Sequence, residues 1–69
     1  MSATYTPELG GMFGAVVTLP GGSPWAHASI AAAAIVRADG YRVRGLRKVK
    51  RADDGSIVVT LGVRKAGDA

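Results

Sequence analysis

From Leu9 to Val36 the chain runs 28 residues without a single Asp, Glu, Lys or Arg. A continuous apolar run of about 20 residues would be long enough to cross a bilayer as one helix. This one is not continuous, because Pro20-Gly21-Gly22-Ser23-Pro24 sits in its middle, and prolines flanking a glycine pair interrupt helix and strand alike. No membrane span is therefore expected, and the run divides into two elements of different period. Before the break, Met12 to Leu19 reads MFGAVVTL, with Phe13, Ala15, Val17 and Leu19 on one parity and Met12, Gly14, Val16 and Thr18 on the other. That is a strand with one strongly apolar face and a second face that is scarcely polar.

After the break, Ser23 followed by Pro24 reads as a helix start. A serine hydroxyl can accept from a free amide there, and proline at the first helical position loses no hydrogen bond. The helix is expected from Pro24 to Ala38 or Asp39, with Gly40 as its left-handed stop. Helical spacing puts Trp25, Ala28, Ala32 and Val36 on one stripe with Ile35 beside it, and His27, Ile30, Ala34 and Arg37 opposite. A helix uncharged from Pro24 to Val36 is expected to be covered on both sides, by its own sheet and by a neighbour.

Two further strands, Tyr41 to Ala52 and Ser56 to Lys65, are joined by Asp53-Asp54-Gly55, a hairpin signal. In the second of them Ile57, Val59, Leu61 and Val63 alternate against Ser56, Val58, Thr60, Gly62 and Arg64. In the first, Tyr41, Val43 and Val49 share a parity, while Leu46 falls among the basic residues of the other. A bulge near Gly45 would turn that leucine inward.

The expected fold is thus α+β, a single small β-α-β-β domain over residues 12–65. Its three-stranded antiparallel sheet has the order 1-3-2 and carries the helix on one face. Residues 1–11, with Pro7 and Gly10-Gly11, are expected as a flexible N-terminal arm outside the fold, and 66–69 as a frayed tail. One helix covers one face, so the other, with Met12, Val16, Leu46 and Val58, is left to water or a partner.

Length then becomes decisive. A chain of 69 residues buries only about 60% of the surface its unfolded form exposes, and disulfides, metals or oligomerisation are the usual supplements. There is no cysteine for the first, and 22 residues are alanine or glycine, which leaves few large side chains for a core. Arg outnumbers Lys six to three, a skew typical of a GC-rich genome such as that of an actinobacterium or one of its phages.

Candidate chemistry is sparse. His27 is the only histidine, so no metal set is expected. Ser23 reads as a cap, and neither Ser29 nor Ser56 has a base nearby in sequence. Asp53 and Asp54 belong to the turn. The expectation is a protein that is no enzyme and takes no cofactor. Two binding signals remain. Gly21 and Gly22 lead from a strand into a helix start, a place where free amides can meet an anion, although the lysine and spacing of a P-loop are missing. More pronounced is the charge: Arg42, Arg44, Arg47, Lys48, Lys50 and Arg51 fall within ten positions with no acid among them, out of nine basic residues and a net charge of +4. Alternation puts Arg42, Arg44, Lys48 and Lys50 on one face. Such a stripe can protect a sheet edge from stray pairing, dock on an acidic protein, or follow a nucleic-acid backbone without reading sequence.

The strand, helix, hairpin layout, with Tyr41-Arg42-Val43 opening the second strand and an Asp54-Gly55 turn, resembles that of the dodecins, small flavin-storing shells. The resemblance implies an oligomer. Gly40 stands where that family has its flavin-stacking tryptophan, so it does not extend to flavin. The leading functional expectation is a structural subunit, cytoplasmic or in a virion. It would act through homo-oligomerisation or as a minor part of a larger phage- or shell-like assembly, with Trp25, Ile30, Ala34, Val16 and Val58 at contacts. The alternatives are sequence-independent nucleic-acid binding through residues 42–51 and an oligomeric small-ligand carrier of βαββ type.

Overall fold

The computed structural model describes residues 2–66. Its elements follow the order β1 (Ser2–Pro7), a 3-10 turn (Leu9–Gly11), β2 (Met12–Leu19), a second 3-10 turn (Trp25–His27), α1 (Ala28–Ala38), β3 (Tyr41–Arg51) and β4 (Ile57–Lys65). The strands form one four-stranded antiparallel sheet in the order β1-β2-β4-β3. A small α+β domain with one helix on an antiparallel sheet is therefore what the chain forms, but with four strands rather than three in the order 1-3-2. The difference lies in residues 2–7. Expected as an arm outside the fold, they pair in unbroken register with β2, from Ser2 opposite Thr18 to Pro7 opposite Phe13.

The reason lies in which way these side chains turn. Ala3 and Tyr5 turn toward the core, and both pack against it, while Ser2, Thr4 and Thr6 turn away and are exposed. That is period-2 alternation in residues of good strand propensity. At the start of the tail the Ala66 amide donates to the Gly40 carbonyl at 2.8 Å. Residues 67–69, expected to be frayed, lie outside the described residues.

The core lies between the sheet and α1. It consists of Ala15, Val17 and Leu19 from β2, Ile57, Val59, Leu61 and Val63 from β4, and Ala28, Ala32 and Val36 from α1. The i, i+4, i+8 spacing of the helical trio is what one buried stripe requires. Alanines at two of the three let the helix axis approach the valines of β2 and β4 closely. Where the helix ends, Gly40 takes φ 93° as expected, and its amide donates to the Arg37 carbonyl.

The helix starts later than the sequence suggests. Pro24 has ψ 126°, which is extended, and Ser23 Oγ donates back to the Pro20 carbonyl at 2.6 Å instead of accepting from a helical amide. Trp25–His27 form a 3-10 turn, and α1 proper begins at Ala28. The displacement takes Trp25 off the buried stripe and leaves it 51% exposed. Below the other end of the helix, Tyr5, Phe13 and Tyr41 close the core: the two tyrosine rings stack at 4.1 Å, and Phe13 meets Tyr41 edge-on at 5.5 Å. The Tyr5 hydroxyl donates to Asp39 at the helix C-terminus, tying β1 to α1.

Candidate functional site

β3 is a sheet edge, and its outer register explains where its cations go. Two irregularities interrupt its pairing with β4, between Val43 and Gly45 and between Leu46 and Lys48. Arg44 and Arg47 are the inserted residues. Between them Leu46 is set opposite Leu61, on the helix side of the sheet, although it stays 52% exposed. One bulge near Gly45 was expected. Two are needed, because the second restores the parity that brings Val49 back opposite the buried Val59.

Arg47 does not join the free stripe. Gly62 of β4 lies opposite Gly45 of β3 on one side and Gly14 of β2 on the other, so three glycines line up across the open face. The Arg47 side chain lies in this trough. A Cβ built on Gly62 would come within 3.1 Å of its Nε and one guanidinium nitrogen, and one built on Gly14 within 2.8 Å of the Glu8 carboxylate. The guanidinium meets Glu8 in a bidentate pair, with N–H···O distances of 2.7 and 2.6 Å. The hydrogen bond from Arg47 and its positive charge hold the Glu8 carboxyl below the ordinary carboxylate range. Glu8 follows β1 directly, so this contact straps the first strand across the sheet to the last.

Two other cations are engaged. Arg51 donates to the Gly55 carbonyl at 2.9 Å and sits 5.6 Å from the Trp25 ring centroid, a cation–π distance. Arg64 donates to the Gly10 carbonyl at 3.2 Å. Among the described residues, Arg42, Arg44, Lys48 and Lys50 form neither a salt bridge nor a side-chain hydrogen bond, and all four are exposed. They are the four cations singled out from alternation. Arg42, Lys48 and Lys50 pair with Arg64, Thr60 and Val58 of the open face, whereas Arg44 enters through the first bulge.

The apolar contact candidates do not form one patch. Val16 and Val58 lie together on the open sheet face, since Val16 pairs with Thr60 and Val58 with Thr18. Ile30, 66% exposed, and Ala34 lie on the outer side of α1, across the molecule from them. Trp25 stands at the foot of α1 against Arg51.

Gly21 and Gly22 do not cradle a helix N-terminus, because the 3-10 turn separates them from α1. Gly21 instead lines a depression of about 270 Å³ with Ser2, Thr18, Leu19, Pro20, Asp54 and Ser56. Asp54 accepts from the Ser56 hydroxyl at 2.6 Å and amide at 2.9 Å, and these bonds hold its carboxyl low. A fixed negative charge in that depression opposes an anion. Among the described residues no cluster of three or more His, Cys, Asp or Glu is placed to hold a metal, and no helix is long and apolar enough to cross a membrane.

Comparison of the chain with known protein families, with curated proteins and with solved structures gives no match.

Proposed function

We propose that this protein is a non-enzymatic, self-associating subunit, a structural or interaction component whose working form contains more than one copy. One observation carries the reading. Among the described residues, seven large apolar side chains are buried in the core, while five others, Leu9, Val16, Trp25, Ile30 and Leu46, are 38% to 95% exposed. A domain of this size has little apolar surface to spare, and placing so much of it in water is offset when a second subunit covers it. Light scattering behind gel filtration, run from low to high micromolar protein, tests the reading. The mass is expected to rise above that of one subunit, and a constant subunit mass throughout rejects it.

A second reading, sequence-independent binding of nucleic acid, is supported by the four unengaged cations of β3. Their neighbours Arg47, Arg51 and Arg64 are held by protein groups, so these four remain to meet phosphates. With four phosphate contacts the affinity for duplex DNA is expected to fall about 10²-fold between 50 and 200 mM salt. Replacing Arg42, Arg44, Lys48 and Lys50 by Gln should abolish retention on a DNA column while the circular dichroism spectrum is kept. Retention unchanged by those replacements removes the strand as the contact.

A further inference from the structure

We propose that two copies of this chain join edge to edge through β1, antiparallel, so that two four-stranded sheets become one sheet of eight strands. This rests on the self-association reading only for the presence of a second copy: the contact is the β1 edge, and the exposed Trp25, Ile30 and Leu46 stay outside it. The sheet has two free edges, β1 and β3, and they are opposite in chemistry. β3 carries six cations between Arg42 and Arg51 with no acid among them, and its register is broken twice. Charge and bulges are the devices by which an edge strand refuses another strand. Pairing two copies through β3 would set eight unengaged cations, Arg42, Arg44, Lys48 and Lys50 of each copy, across one strand spacing of about 4.8 Å, well inside a Debye length of about 8 Å.

β1 has none of these protections over most of its length. Its six residues, SATYTP, include no charged side chain, its register with β2 is regular throughout, and its single proline stands at the last position. An uncharged, regular edge is a template for another strand.

The sequence of β1 also suits itself as the partner. An antiparallel register centred on Thr4 places Thr4 opposite Thr4 and Ser2 opposite Thr6 on the open face, and Ala3 opposite Tyr5 on the helix face. Thr–Thr and Ser–Thr hydroxyl pairs are favourable cross-strand neighbours. A two-fold axis normal to the sheet relates the copies, so both helices stay on one face. The two cationic strands end at the far edges, about 34 Å apart at seven strand spacings, where salt screens their repulsion. Of the two edges, β1 is the one at which a second copy joins without repulsion.

Charge at position 4 gives the test. The Thr4 side chain is exposed and faces away from the core, so the fold of a Thr4→Lys variant can be checked by circular dichroism. Thr4→Lys would set two ammonium groups face to face at the axis and is expected to weaken dimerisation at least about tenfold. Mixing Thr4→Lys with Thr4→Glu is expected to restore a dimer of the mixed kind. Ile30→Glu, on the helix, is expected to leave association unchanged. In the wild type, hydrogen exchange at β1 amides should slow as concentration rises, a readout that decides even if Thr4→Lys fails to fold. Association unaltered by Thr4→Lys, or concentration-dependent protection at β3 or α1 in place of β1, overturns the proposal and leaves self-association standing. A wild-type monomer at every concentration overturns both.

Discussion

At the residue scale the molecule is organised around one arginine and the glycines that make room for it. Arg47 reaches Glu8 only because Gly62 and Gly14 have no side chains in its path. Gly62→Val is therefore expected to displace the guanidinium and break the pair, lowering Tm by about 4–8 °C in a thermal melt. The companion measurement is faster exchange of β1 amides, since Glu8 is what the pair holds in place. The pair also sets a pH response. Glu8 is depressed in the folded state, so its contribution is complete above the unfolded carboxylate pKa and is lost as pH falls through the folded value. Acid should loosen β1 before the core, and Glu8→Gln should remove that early phase from an acid titration followed by hydrogen exchange. Tyr5 acts in the opposite direction. Burial, the hydrogen bond to Asp39 and the Asp39 charge all raise its phenol, so its contribution is present below the unfolded value and is lost as pH rises through the folded one. Phenolate absorption in an alkaline titration should show one late-ionising tyrosine, and Tyr5→Phe should remove it.

At the element scale, most of the fold was readable and the exceptions have separate physical causes. β2, the hairpin turn, β4 and the end of α1 follow from alternation and from Asp-Gly and Gly signals, which act locally. The start of α1 does not, because Ser-Pro fits a helix start and an extended turn equally well by sequence. Which one forms depends on where the strand before it delivers the chain. β1 does not stand out although Ala3 and Tyr5 alternate with Ser2, Thr4 and Thr6, because a six-residue stretch whose only inward side chains are one alanine and one tyrosine carries little hydrophobic signal and owes its strand state to pairing with β2. On β3 the four free cations were identifiable from spacing. The fate of Arg47 was not, since its partner lies 39 positions earlier and only the sheet brings them together. The core elements carry the stability: Leu61→Ala, which empties a fully buried position of the central strand β4, should cost about 2–5 kcal/mol in a denaturant melt.

At the scale of the whole molecule, Cα extents of 38 × 20 × 17 Å leave room for two layers and no more. One face of the sheet has its helix, and the other has Val16, Val58, threonines and a flank of cations. The proposed self-association rests on the exposed large apolar residues. Native mass spectrometry of the purified wild-type protein at rising micromolar concentration tests this most directly, because it reads stoichiometry and any retained polyanion in one spectrum. Self-association through β1 is expected to give a species at twice the 7.0 kDa subunit mass, or a higher even multiple of it. A single 7.0 kDa species across the whole concentration range would contradict it.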